Sequence, residues 1–371
     1  MNLHLVLFFT RGVSLRTWAM MGNLDREVAV YKRLIQRGFR VSFVTYGVGE
    51  DLAYAERLGG IRILCNYADL PRQLYEKELM SLHGDALRDC DVIKTNQTYG
   101  ADVALAAARL FGKPLVARCG YMWSHNAAKE HGANSRAAQE AMRVEREVFT
   151  SADVVVVTTA AMREDVAQRF PDAAARVRII PNYVDTDLFR PDADLREMNR
   201  LLFVGRIAPE KNLRELLEAI EPLSILLTLI GEGRLRPELQ ERFAHLDGKV
   251  TWEGTVPNAE LPGHLNRAAI FVLPSLYEGH PKALIEAMAC GTAVIGANSP
   301  GIREIIRHRE TGYLCDTDSK SIRSALEVLL GNAALRETLG AAARRHIVEH
   351  YSLDRVLEQE CALLREVVRE Y

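Results

Sequence analysis

Short runs of consecutive apolar residues alternate along this chain with longer stretches in which apolar positions recur every three or four residues. Runs at 3–9, 41–45, 61–65, 91–94, 115–118, 154–158 and 177–180 have the near-continuous hydrophobicity of strands buried on both faces. Between them, 25–37 carries Val28, Tyr31, Leu34 and Ile35 on one helical face and stops at Gly38. The stretches 101–111, stopped by Gly112, 135–150 and 160–170 follow the same helical period. Two connections, 10–23 and 119–134, are long for a strand-to-helix turn, and long connections there are often functional. Strand and helix alternating in this way predict a doubly wound parallel α/β domain.

At Pro181 the pattern breaks into turn formers without a clear period, up to Asn199. The alternation then restarts. Strands are expected at 201–204, 225–230, 250–252, 270–273, 293–296 and 312–315, and helices at 213–220, 234–243, 260–267 and 334–349. Asp318 is the expected cap of a helix over 319–330, and a last amphipathic helix covers 352–370. A chain of 371 residues also exceeds the usual span of one hydrophobic core. The reading is two Rossmann-like α/β domains, 1–185 and 200–351, joined by a linker at 186–199. Such domains leave a cleft between them, a usual place for a ligand.

Composition narrows the class only modestly. Apolar content of 48% and charged content of 26% are ordinary for a globular protein, and a formal charge of -2 gives no support for nucleic-acid binding. Cys65, Cys90, Cys119, Cys290, Cys315 and Cys361 lack CxxC spacing and mostly sit in apolar runs. That pattern fits buried thiols in a reducing compartment and offers no structural zinc site. The first ten residues lack a basic region and a cleavage site, and no run approaches the ~20 apolar residues that span a bilayer. A cytoplasmic protein is expected, with peripheral contact at the inner face of a membrane left open.

Candidate chemistry concentrates at 271–291, FVLPSLYEGHPKALIEAMACG, which reads as strand, tight loop and helix. Pro281 suits the first helical position, and ligands of parallel sheets sit at the carboxyl ends of strands. The N–H groups around Gly279 and His280 are therefore placed as an anion site. Glu278 and Glu286 flank the helix start; a carboxylate can hold the vicinal hydroxyls of a ribose, and two surface glutamates are the plain alternative. The first strand of this half ends in Gly205-Arg206, followed by Lys211 before a helix. Arg206 and Lys211 could neutralise a diphosphate, and cations at a helix N-terminus suggest that a bound anion compensates them. Gly231, in Gly231-Glu232-Gly233 after the next strand, is a weaker nucleotide signal, since glycines there are commonly just turns.

In order, LFVGRIAPEKN, LTLIGEG, VTWEGTVPNAEL, FVLPSLYEGHPKALIEAMACGTAVI, SPGIREII and ETGYL cover roughly 201–314. Together they resemble the donor-nucleotide domain of family 4 glycosyltransferases, the retaining group with the GT-B fold. IPNYVDTDLFRP resembles that family's interdomain segment, and the last helix resembles the one that crosses back onto the first domain. The resemblance implies that Arg206 and Lys211 hold the donor diphosphate and Glu286 the ribose. It places Glu278 toward the donor sugar beside the backbone of Gly279, His280 and Pro281, and Val256 beside the base. It further implies retention of configuration without a metal or other cofactor, the nucleoside-diphosphate sugar being a substrate. The leaving β-phosphate would assist deprotonation of the acceptor hydroxyl, so the site's work is positioning and charge stabilisation.

The first domain matches that family in architecture and a few loops. Gly12 stands where relatives carry a glycine pair near phosphates and acceptor, and Arg11 and Arg16 beside it could bind an acidic acceptor or the phosphates. Solvent-facing arginines on a loop are the alternative. Asn96 follows a strand end and could bond acceptor hydroxyls. Where many relatives carry a His-Gly pair, this chain has Arg118-Cys119-Gly120-Tyr121, so Arg118, Cys119 or Tyr121 becomes the candidate sugar-side group. The expected activity is transfer of a sugar to a carbohydrate or lipid-linked acceptor, in cell-surface polysaccharide or lipopolysaccharide assembly. A sugar-nucleotide epimerase or hydrolase, and a non-catalytic sugar-nucleotide-binding subunit, are the rivals.

Overall fold

A computed structural model describes residues 2–371, which divide into two compact units. The first comprises residues up to Met20, Glu27–Pro181 and Val356–Tyr371; the second comprises Met21–Arg26 and Asn182–Arg355.

The first unit is built on seven parallel strands: β1 (His4–Phe8), β2 (Arg40–Val44), β3 (Arg62–Leu64), β4 (Val92–Thr95), β5 (Leu115–Cys119), β6 (Val154–Val157) and β7 (Val177–Ile179). Their order is β3-β2-β1-β4-β5-β6-β7, so the winding reverses between β1 and β4. Strand β6 is four valines, all buried, as a strand covered by helices on both faces requires. Residues 356–371, all but the last of them in the final helix, Leu353–Glu370, complete this unit. That helix sets Val356, Leu357, Leu364 and Val367 into the core, and its Glu360 holds Lys94 of β4 through both carboxylate oxygens at 2.6 Å.

The two long connections are not loops throughout. The first contains the helix Leu15–Met20, and the second contains the helix Trp123–His131. The second begins without a local side-chain cap, whereas the first has Ser14, whose hydroxyl accepts from the Thr17 N–H at 3.0 Å. In addition the buried Asp51 accepts from the N–H groups of Leu15 (3.1 Å) and Arg16 (3.2 Å). In the same way the buried Glu145 accepts from the N–H of Ser124 (2.8 Å) and from its hydroxyl (2.5 Å). Each helix start thus draws on a carboxylate more than twenty residues away, a contribution that near-neighbour rules cannot anticipate. The helices Arg72–Leu82 and Gly84–Asp89 also lie in a stretch without a sequence assignment.

The second unit carries β8 (Glu197–Val204), β9 (Leu226–Ile230), β10 (Val250–Gly254), β11 (Ala268–Leu273), β12 (Ala293–Ala297) and β13 (Tyr313–Cys315). All are parallel, in the order β10-β9-β8-β11-β12-β13. Strand β8 starts at Glu197 rather than 201. The stretch read as a linker is pinned to this unit instead of running free. Val184 and Phe189 are in its core, and Arg344 donates to the carbonyls of Phe189 (2.6 Å), Ala289 (2.9 Å) and Thr186 (2.9 Å). The helix Ser319–Leu330 begins where its cap predicts: Asp318 accepts from the N–H groups of Lys320 and Ser321.

Candidate active site

In the second sheet the winding reverses between β8 and β11, and a parallel sheet binds ligands at the carboxyl ends of the strands beside such a reversal. Beyond β8 come Gly205 and Arg206, a single 3-10 turn Pro209–Lys211, and then the helix Leu213–Ile220. Asn212 makes the sharp corner between turn and helix in the left-handed region, φ 57°, which asparagine tolerates better than most residues. Its side-chain amide donates to the carbonyls of Pro274 (3.2 Å) and Thr317 (2.8 Å), and the N–H of Leu276 donates to the carbonyl of Glu210 (2.9 Å). The loops after β8 and β11 are therefore tied together, and Lys211 is presented to Glu278.

Lys211 Nζ lies 2.5 Å from Glu278 Oε1, with both side chains nearly buried (13% and 11% exposed). Arg206 is 69% exposed and pairs with Glu210 at 2.8 Å. These pairs correct one expectation: the cations at this helix start are balanced by the chain's own carboxylates, so their placement alone does not demand a bound anion. Pro281 is the residue before the helix, not its first position; the helix runs Lys282–Ala289.

The loop carrying Glu278 is held from behind. Its N–H donates to the carbonyl of Pro300 (2.9 Å), and Ser299 Oγ donates to the carbonyl of Ser275 (2.7 Å). Gly301, at φ +81°, packs so closely that a Cβ there would lie 2.4 Å from the carbonyl oxygen of Glu278 and 2.6 Å from that of Gly279. Only glycine fits both the backbone angle and the space. The ring of His280 is buried beside that of Tyr351, with centroids 5.1 Å apart, and its carbonyl accepts from Asn182 (2.7 Å), so its ring packs inside the fold. Gly231 is likewise a close-approach residue, since a Cβ would fall 1.9 Å from the carbonyl oxygen of Gly205.

Glu286, 1% exposed, lies under this loop on the helix. Its Oε1 accepts from Asn258 Nδ2 (2.9 Å) and from Arg26 Nη1 (3.3 Å). Its Oε2 is buried and has no hydrogen-bond partner among the described residues. Sequence reasoning missed both partners. Arg26 comes from the short segment Met21–Arg26 that belongs to this unit although it lies far away in sequence. Asn258 sits in VPNAEL, two residues after Val256, and that proximity was the signal available.

In the first unit, the carboxyl ends of β1, β4 and β5 bring several of the other candidates together. Asn96 Nδ2 donates to Thr10 Oγ1 (3.4 Å), Arg118 Nη1 donates to the carbonyl of Asn96 (3.4 Å), and the N–H of Gly120 donates to Gln97 (2.9 Å). Gly12, φ +76°, occupies the third position of the turn closed by Val13 N–H on the Thr10 carbonyl (2.9 Å). Arg11 and Arg16 do not stand as loose cations. Arg11 donates to Glu76 and Asp102, both at 2.8 Å, and Arg16 pairs with Glu50. Burial pulls the Arg11 guanidinium down, but the two carboxylates outweigh it and hold it above its ordinary range. Cys119 is fully buried; burial pushes its thiol up to about 12, and it donates to the carbonyl of Tyr121 (3.1 Å). Its thiol packs in the core of the first unit.

Two parallel α/β units of seven and six strands place the fold in the GT-B class. Residues 185–346 match the family described as Glycosyl transferases group 1, and residues 28–188 match Glycosyltransferase Family 4. The chain belongs to the family 4 glycosyltransferases and is an enzyme of that class, which sets aside the reading as a non-catalytic subunit. It is 28% identical to D-inositol 3-phosphate glycosyltransferase of Thermomonospora curvata, over 89% of this chain and 88% of that one. Alpha-maltose-1-phosphate synthase of Mycolicibacterium smegmatis is 29% identical over 60% of this chain, and the chain spans just under two thirds (66%) of that relative's length. Among solved structures, sucrose-phosphate synthase from Thermosynechococcus elongatus superposes with a TM-score of 0.79 at 20% identity, covering all of both chains. Anabaena HepE in complex with UDP and glucose also gives 0.79, at 18% identity over 98% of this chain and 99% of that one.

Proposed function

We propose that the protein transfers a sugar from a nucleoside-diphosphate donor to a carbohydrate or lipid-linked acceptor, with retention of configuration and without a metal, in the assembly of a cell-surface polysaccharide or lipopolysaccharide. The observation that carries this reading is the Lys211–Glu278 pair at the carboxyl ends of β8 and β11, with the exposed Arg206 beside it. The Glu278 carboxylate on Lys211 stands where an anionic oxygen of the donor would meet that ammonium. The diphosphate takes over that ammonium, and Arg206 leaves Glu210 to add its planar fork. Glu278, released, lies toward the sugar as positive charge develops at its anomeric carbon. Glu286 takes the ribose. Two cations carry the charge of the leaving diphosphate, and its own oxygen receives the acceptor proton on the face that the acceptor attacks. The bond to the diphosphate breaks as the bond to the acceptor oxygen forms.

UDP-bound HepE supports a nucleoside-diphosphate donor by analogy of fold. Among the described residues, no helix is long and apolar enough to cross a membrane. The test begins with thermal shift over UDP-, GDP-, ADP- and CMP-sugars, because the true donor raises the melting temperature. With that donor and an acceptor panel in excess EDTA, the product should carry the donor's anomeric configuration, read by proton NMR. Inversion overturns retention, a need for metal overturns metal independence, and fast conversion of donor alone favours an epimerase or hydrolase. In the same assay Gly301→Ala should lower kcat by up to about 100-fold, through displacement of the Glu278–Gly279 backbone. An unchanged kcat would remove that backbone from the mechanism.

A further inference from the structure

We infer that the segment Met21–Arg26 is part of the nucleotide site, and that Arg26 is a positioning residue that orients Glu286 toward a single ribose hydroxyl. The inference rests on the reading of Glu286 as the ribose ligand. Three observations place the segment. Gly22, at φ +69°, approaches Val256 so closely that a Cβ would lie 2.6 Å from its carbonyl oxygen. The N–H of Asn258 donates to the carbonyl of Gly22 at 2.8 Å. Arg26 is itself fixed, donating through Nη2 to Asn23 Oδ1 (2.9 Å) while its carbonyl accepts from the Tyr183 hydroxyl (2.5 Å).

The consequence falls on Glu286. A carboxylate in water is symmetric and rotates freely. Here one oxygen holds two donors, Arg26 and Asn258, and the other is buried with none among the described residues. A buried acceptor without a partner is costly, and a hydroxyl donor supplied by a ligand removes the cost. Arg26 also balances a charge that is 1% exposed. The arrangement thus turns an adaptable carboxylate into a directed single acceptor, which is how a supporting residue confers discrimination on the group it holds. The chemistry recognised is a hydroxyl on the ribose of the donor.

Calorimetry on the full chain tests this, with whichever of UDP, GDP and ADP gives the largest thermal shift, against its 2′-deoxy and 3′-deoxy forms. Wild type should prefer the ribonucleotide over one deoxy form by about 10- to 100-fold. Arg26→Ala and the milder Arg26→Gln should bring that ratio toward one while the deoxy form binds nearly as before. Arg26→Lys, which restores a cation, should recover part of it. A general loss of structure would weaken both nucleotides together and leave the ratio in place, so an unchanged ratio in the Arg26 variants overturns the inference. Glu286→Gln separates the two layers. If it abolishes the preference while Arg26→Ala and Arg26→Gln keep it, the ribose reading stands and only the role of Arg26 falls. If Glu286→Gln keeps the preference, or none of the three nucleotides binds, the ribose reading falls and this inference with it.

Discussion

Replacing Lys211 with alanine is expected to lower kcat/KM by about 100- to 1,000-fold, the usual range for removing a donor aimed at developing charge. The loss should be anatomically specific. Calorimetry should show nucleoside diphosphate weakened far more than the free nucleoside, since Lys211 meets only the phosphates in this reading. Equal weakening of both would sink the phosphate assignment. The companion substitution is Glu278→Gln, which removes the carboxylate that holds Lys211 at 2.5 Å. In the proposed reading a diphosphate displaces that carboxylate as it binds. Glu278→Gln should therefore bind nucleoside diphosphate at least as tightly as wild type while turning over more slowly. Tighter binding with slower turnover identifies Glu278 as both a competitor of the diphosphate for Lys211 and a group that works in the transition state. Weaker binding would mean that the pair serves only to hold the two loops together.

How much of this was legible in the sequence depended on whether the cause was local. Strand β6 and the helix Ser319–Leu330 follow from four valines and one aspartate, and both stand where the pattern places them. Lys211 and Glu278 were each readable as strand-end polar residues. Their mutual contact was not, because it is a 67-residue separation closed by the sheet's reversal. The same limit explains the helices Leu15–Met20 and Trp123–His131. Their first N–H groups bond to Asp51 and Glu145, residues that look like ordinary acids until folded, and only Ser14, which also caps the first helix, was a local signal. It explains the linker as well, since the turn formers of 181–199 are genuine but Arg344, far downstream, converts the segment into part of the second unit. Arg26 lies at the start of a regular amphipathic helix, and nothing in that period announces a partner 260 residues on.

Removing the carboxylate of Glu360 is expected to destabilise the first unit by about 3–5 kcal/mol, the cost of leaving one member of a buried ion pair without its partner. Lys94 lies on β4, flanked by β1 and β5, with its side chain 2% exposed, and among the described residues the one carboxylate on its ammonium comes from the final helix. Burial pushes that ammonium below its ordinary range, and the Glu360 carboxylate opposes the push. In Glu360→Ala the ammonium loses both 2.6 Å hydrogen bonds and cannot reach water without loosening the helix from the sheet. The melting transition of this unit should fall by roughly 6–20 °C, and limited proteolysis should cut near residue 352, ahead of the detached helix. The double variant Lys94→Met, Glu360→Leu should recover most of the loss, because a packed apolar pair avoids the desolvation that an ion pair has to offset. A shift of under about 1 kcal/mol in Glu360→Ala would show that Lys94 finds another partner. A double variant as unstable as the single one would show that the pair fixes the seat of the helix, a specificity that methionine and leucine cannot supply. The pair has a direct bearing on the site. Lys94 precedes Thr95, whose hydroxyl accepts from the Arg118 N–H at 2.9 Å, and Asn96 follows. A helix that lets go of Lys94 loosens the strand end from which the acceptor-side candidates project.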